Sequence, residues 1–154
     1  MWNCHNIYFD SSYYISPLND RVQDIMTKDV IAVDENVSAL EAAKIMTEKG
    51  ISSLIIEKDH APIGIISERD FVKKICAKDM MPSTIKVGSM MSKLQTFATP
   101  DTSVEVAVQR MVNHRIRRLP IISDDRVVGI ITVTDLAKHL RTILLIEGVL
   151  SPES

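Results

Sequence analysis

Gly64-Ile65-Ile66-Ser67-Glu68-Arg69-Asp70 and Gly129-Ile130-Ile131-Thr132-Val133-Thr134-Asp135 share one pattern: a glycine, two isoleucines, a hydroxyl and an aspartate. The second stretch lies 65 residues after the first, and the match extends outward at that same offset. It pairs Met26 with Met91, Lys28 with Lys93, Ser38 with Ser103 and Ala42 with Ala107. It also pairs Met46 with Met111, Ile51 with Ile116, Leu54 with Leu119 and Ile56 with Ile121, without a gap. One register held over so many positions is a duplication, the first thing to settle in any chain. Residues 21–77 and 87–142 are the two copies, and 78–86 (KDMMPSTIK) links them. An aromatic and polar tail, 1–20, precedes them, and 143–154 holds the end of a last helix and a frayed tail.

Each copy reads alike. A short apolar stretch, Val30 to Val33, predicts a strand. The next segment, 37–49, predicts a helix, because Ala39, Ala42, Ala43 and Met46 recur at helical spacing. Ser38 with Glu41 forms a capping box at its start, and Gly50 suits its stop. Val104, Ala107, Val108 and Met111 repeat that face over 102–113, with Thr102 and Glu105 as the expected cap. Two apolar runs about a polar turn follow, 53–57 with 63–67 and 119–123 with 127–132, and predict strands buried on both faces. A last helix begins at Ser67 and at Thr132. The fold class is therefore α+β, two β-α-β-β-α repeats. A unit of this size is marginal alone, so the two are expected to pack face to face over a shared core, through helices 37–49 and 102–113.

The composition is that of an ordinary soluble globular chain: 45% hydrophobic, 25% charged, formal net charge −2. Bulk electrostatics therefore favour neither nucleic acid nor an anionic membrane. Two cysteines, Cys4 and Cys76, form no Cys-x-x-Cys pair, which suits a reduced cytoplasmic protein. Cys76 reads as a small core residue of the last helix. His5, His60, His114 and His139 show no metal-ligand spacing, so no metal site is expected. His60 reads as a turn residue, and His139 as lying on a helix surface.

The doubled ending has two compatible readings. Ser67 with Asp70, and Thr132 with Asp135, are capping boxes that start helices. The same geometry also suits a nucleotide. Glycine permits close backbone approach, the helix start presents free N–H groups to an anion, and a hydroxyl beside a carboxylate serves phosphate and ribose. His114-Arg115-Ile116-Arg117-Arg118-Leu119-Pro120 is a basic run interrupted by apolar residues, as a strand entering a core would be. Guanidinium groups match phosphate in shape and charge.

Tandem units ending in this way resemble CBS domains, over about 22–142. VQDIMTKDVIAVDENVSALEAAKIM and RIRRLPIISDDRVVGIITVTD are similar to the family pattern throughout. The resemblance implies a pseudo-two-fold module whose clefts bind AMP, ADP, ATP or S-adenosylmethionine. It implies that Asp70 and Asp135 hold ribose, and that Ser67 and Thr132 lie near phosphate. In nucleotide-binding members, basic residues before a Leu-Pro pair face the phosphates, which implies that role for Arg117 and Arg118. The first copy has Ser52 and Ser53 there, so the clefts should differ. Phosphorylated ligands are expected in the Asp135 cleft and a less anionic adenosine compound, or nothing, in the Asp70 cleft. Adenine contacts are implied for Val30 and Ile31 in the first, and for Gln95 and Thr96 in the second.

A regulatory sensor that binds an adenine nucleotide, self-associates as a homodimer and reports to an unknown protein target is the leading expectation. Nothing resembles a P-loop or a catalytic metal cluster, so an enzyme is not expected, and no catalytic residue or cofactor is assigned. Nucleic-acid binding through Arg115, Arg117 and Arg118 is opposed by the overall acidity. A purely structural dimerisation module is the remaining alternative.

Overall fold

The computed structural model describes residues 20–146. Of the expected tails, 1–20 lies outside that range except for Asp20, and 143–154 lies outside it beyond Ile146. The first copy runs α1 (Val22–Ile25), β1 (Ala32–Asp34), α2 (Ala39–Lys49), β2 (Ser53–Lys58), β3 (Ala61–Ser67) and α3 (Glu68–Lys74). The second runs α4 (Val87–Met90), β4 (Ser92–Lys93), α5 (Val104–Asn113), β5 (Arg118–Ser123), β6 (Arg126–Thr132) and α6 (Val133–Ile146). The fold is the expected α+β one, with a short helix added before each first strand. The first strand begins later than expected, at Ala32, which leaves Val30 and Ile31 in the loop before it.

Local sequence explains the elements. The Ser38 hydroxyl accepts the Glu41 N–H at 3.1 Å, and Gly50, at φ 62°, returns its N–H to the last turn of α2. In α5 the cap is Ser103, which accepts from Val106, and not Thr102. Thr102 instead accepts the Thr99 N–H at 3.0 Å and closes the preceding loop. Two-residue turns at Asp59-His60 and Asp124-Asp125 join the hairpins with positive φ throughout, the mirror-image geometry that matches strand twist. Leu54, Ile55 and Ile56 are all buried, so β2 is covered on both faces, and β5 repeats this at Leu119, Pro120 and Ile121. Each such side chain contributes roughly 1.5–3 kcal/mol.

The expected single core is instead two, because the opening segments of the copies are exchanged. Val22 of α1, with Ile25 and Met26, packs among Ala107, Met111, Leu119, Ile121 and Ile131 of the second copy. Val87 and Met90 of α4, with Met91, pack among Ala42, Met46, Leu54, Ile56 and Ile66 of the first. The backbone follows the same exchange. β4 lies antiparallel to β3, giving the sheet order β1-β2-β3-β4, while Thr27 bridges Ile130 beside β6. Ala98 bridges Ile121 in parallel, where β1 pairs Val33 with Ile56 in the first copy. Helices α2 and α5 therefore bury their alanine faces on their own strands, and the strand pairs meet through β3 and β6.

The linker is structured. Short 3-10 turns span Cys76–Lys78 and Pro82–Thr84, and the Ile85 carbonyl accepts the first N–H of α2 at Ala39. Cys76 is exposed in the first of these turns rather than buried in a helix, because α3 ends at Lys74 and Ile75 takes the core position.

Candidate functional site

The helices α3 and α6 start where β3 and β6 end, so the two glycine-to-aspartate stretches each form a strand-to-helix corner. At the first, Asp70 Oδ2 accepts the Ser67 N–H and hydroxyl, both at 2.9 Å. At the second, Asp135 Oδ2 accepts the Thr132 N–H at 2.8 Å and its hydroxyl at 2.6 Å. Each corner thus holds its aspartate in a fixed pose. The remaining oxygens differ. Asp70 Oδ1 pairs with Lys74 at 3.0 Å, and Lys74 also donates to the Met90 carbonyl. Asp135 Oδ1 makes no hydrogen bond or ion pair among the described residues.

The glycines serve packing. A Cβ at Gly129 would stand 2.3 Å from Met26 Sδ, and one at Gly64 would stand 2.3 Å from Met91 Sδ. Each corner glycine therefore makes room for a methionine from the other copy's exchanged segment, where the sequence suggested room for a ligand.

Two clefts open at these corners, and each draws its walls from both copies. Thr132 and Asp135 share a cavity of about 400 Å³ with Val30, Ile31, Ser52, Arg118 and Lys138. That size falls in the usual range for small-molecule sites. Ser67 and Asp70 share one of about 280 Å³ with Lys73, Arg115, Arg117 and Arg118. A third cavity of about 250 Å³ lies between Ser67 and Thr132 and is lined by Arg69, Arg117 and Arg118. Val30 and Ile31 line the same cavity as Asp135. Arg117 does not: it lines the Asp70 cleft and the central cavity. The start of β5 faces the other copy's corner, where the Arg118 guanidinium donates to the Ser52 hydroxyl at 3.0 Å. Gln95 and Thr96, which answer to Val30 and Ile31, line neither cleft.

Lys73 and Lys138 escaped the sequence reading, although they sit at the same 65-residue offset, three positions after each aspartate. The described histidines, His60, His114 and His139, stand apart from both clefts. His114 is exposed, His60 lies in its turn, and His139 is only 15% exposed at its side chain, 3.2 Å from Asp20. Among the described residues no cluster suits a metal ion. Two carboxylates outside the clefts are held below their ordinary range, Asp34 by the Asn36 N–H and Asp101 by the Thr99 hydroxyl. The clefts offer hydroxyls, a carboxylate oxygen, guanidinium groups and apolar loop edges. That set suits an ionic, ribose-like ligand.

Among the described residues no helix is long and apolar enough to cross a membrane. The chain is 39% identical over 118 residues to an uncharacterized protein of Methanopyrus kandleri, covering 75% of this chain and 60% of that one. It is 34% identical to hypoxic response protein 1 of Mycobacterium tuberculosis, covering 77% of this chain and 83% of that one. A CBS domain pair solved in complex with 5′-methylthioadenosine and S-adenosyl-L-methionine is 28% identical, with TM-score 0.71 over 80% of this chain and 98% of that one. An uncharacterized conserved protein from Pyrococcus horikoshii is 25% identical, with TM-score 0.73 over 80% of this chain and 94% of that one. The CBS domain model matches twice, at residues 22–77 and 87–142, and the chain belongs to the CBS domain family.

Proposed function

We propose that this chain is a cytoplasmic regulatory module that binds an adenine nucleotide, AMP, ADP or ATP, between its repeats and performs no catalysis. The observation that carries this reading is the Asp135 cleft. It joins an apolar loop edge, Val30 and Ile31, to a hydroxyl, a fixed carboxylate with an unengaged oxygen, and the cations Arg118 and Lys138. Asp135 accepts from ribose hydroxyls, Thr132 and Arg118 face phosphate, and the loop edge covers adenine. The Asp70 cleft is the weaker ribose site because Lys74 occupies its second oxygen. Its guanidinium groups make it the more strongly anion-seeking of the two.

An S-adenosylmethionine-type ligand is the second reading. Asp29 lies in the Asp135 cleft and suits a cationic group, and the adenosyl ligands of the related CBS pair point the same way. Titration calorimetry with AMP, ADP, ATP, adenosine and S-adenosylmethionine separates the two. Asp135→Ala is expected to weaken every adenosine-containing ligand by roughly 1.5–3 kcal/mol, the worth of hydrogen bonds to a charged group. Asp70→Ala is expected to do less. No heat and no melting shift with any of these ligands sinks the proposal and leaves a structural dimerisation module. Ligand binding reaches a protein target only through a conformation that the ligand prefers. The partly exposed Val133 and Leu140 of α6 support self-association as a homodimer, which sedimentation at high micromolar concentration checks.

A further inference from the structure

We infer that Arg118 couples the two clefts, so that a phosphorylated ligand in one weakens a phosphorylated ligand in the other. The inference rests on the nucleotide reading above. Arg118 lines the Asp135 cleft, the Asp70 cleft and the cavity between them. Its guanidinium is held at that boundary by the Ser52 hydroxyl, 3.0 Å away, and Ser52 itself lines the Asp135 cleft.

The duplication does not supply a second such group. At the 65-residue offset, Arg117 and Arg118 answer to Ser52 and Ser53. The cations are therefore unevenly shared. The Asp70 cleft has Arg69, Lys73, Arg115 and Arg117 besides Arg118, whereas the Asp135 cleft has Lys138 besides Arg118. A phosphate in the Asp70 cleft draws Arg118 toward it and removes one of the two cations on which a phosphate in the Asp135 cleft depends. Two phosphates flanking the central cavity also repel each other. Both effects have the same sign. Adenosine carries no phosphate and escapes both. The coupling is reciprocal, since each ligand must alter the other's affinity by the same factor.

The test is a titration of methyl-labelled protein, in which Ile31 reports the Asp135 cleft and Ile65 the Asp70 cleft. Inorganic pyrophosphate, which has neither ribose nor adenine, is the probe for the arginine-rich side. It is expected to shift Ile65, to raise the AMP midpoint read at Ile31 by about five-fold or more, the lower end of usual coupling, and to leave the adenosine midpoint unchanged. Arg117→Ala, at a residue that lines the Asp70 cleft and not the Asp135 cleft, is expected to raise the pyrophosphate midpoint read at Ile65 and the midpoint of its effect at Ile31 by the same factor. If the effect at Ile31 keeps its midpoint in that variant, pyrophosphate competes directly in the Asp135 cleft and the coupling is overturned. An unmoved Ile65, an unchanged or lowered AMP midpoint, or an adenosine midpoint that rises equally also overturns it, while the nucleotide reading stands. If neither AMP nor adenosine moves either methyl, the nucleotide reading fails and the coupling falls with it.

Discussion

Adding one methyl group at each corner glycine tests the exchanged packing, and the structure makes the two substitutions unequal. At Gly129 the three atoms nearest the new Cβ all belong to the Met26 side chain: Sδ at 2.3 Å, Cγ at 2.9 Å and Cε at 3.1 Å. Met26 is unbranched and has other rotamers, so it yields. At Gly64 the Cβ meets Met91 in the same way, but also the Ser92 backbone carbonyl at 2.9 Å. That carbonyl belongs to β4, which is hydrogen-bonded to β3, so relief there moves a strand. Overpacking costs typically about 1–3 kcal/mol. Replacing glycine by alanine returns about 0.5–1 kcal/mol in a strand. Gly129→Ala therefore lies near zero net, and Gly64→Ala loses about 2 kcal/mol. Urea unfolding with an unchanged m-value reads the difference as a shift in midpoint. A second comparison isolates the partner: Met26→Ala is expected to remove the strain of Gly129→Ala in a double-mutant cycle, whereas Met91→Ala only partly relieves Gly64→Ala. Equal losses at the two glycines, or no coupling between Gly129 and Met26, would refute the argument.

Three further outcomes follow from single residues. Arg115 holds φ 52° where the first copy has Gly50, so Arg115→Gly is expected to stabilise the fold by about 1 kcal/mol and to weaken phosphorylated ligands in the Asp70 cleft; a fall in melting temperature refutes it. Val22→Ala is expected to destabilise by about 1–3 kcal/mol and to lower amide-exchange protection on β5 and β6 more than on β2, because Val22 sits in the second copy's core. Asp34 and Asp101 should titrate below the unfolded carboxylate value of about 3.9, so their stabilising contribution is present above that pH and is lost as pH falls through the folded value. Carboxyl-carbon NMR titration checks both, and Thr99→Val should return Asp101 toward the ordinary range.

The elements were legible in the sequence because each depends on near neighbours. Ser38, Gly50 and the alanines of α2 act within a few turns of one another, and the hairpins are set by two-residue polar turns. Even the cap of α5 was available: Ser103 answers to Ser38 at the repeat offset, although Thr102 offered the tidier local motif. Cys76 was misplaced because an apolar run does not show where its helix stops.

What one chain with two copies could not disclose is which copy serves which cleft. A repeat offset states that Arg117 answers to Ser52 and Asp135 to Asp70, and it is silent on whether the partners of an aspartate come from its own copy. The family resemblance implied one site for Arg117 and Asp135, whereas Arg117 lines the Asp70 cleft and the central cavity. Thr27 beside Ile130, and Met26 over Gly129, show how closely the second copy's corner is built against the first copy's opening segment. In the same way β4 of the second copy lines β3 of the first. The clefts therefore form between copies, and the Asp135 cleft takes its loop edge and its serines from the first. Of the two arginines only Arg118, whose guanidinium reaches Ser52, belongs to both sides. A side chain at that boundary has two sets of neighbours. Its consequence is a dependence of one cleft on the other, which no comparison of the two copies residue by residue contains.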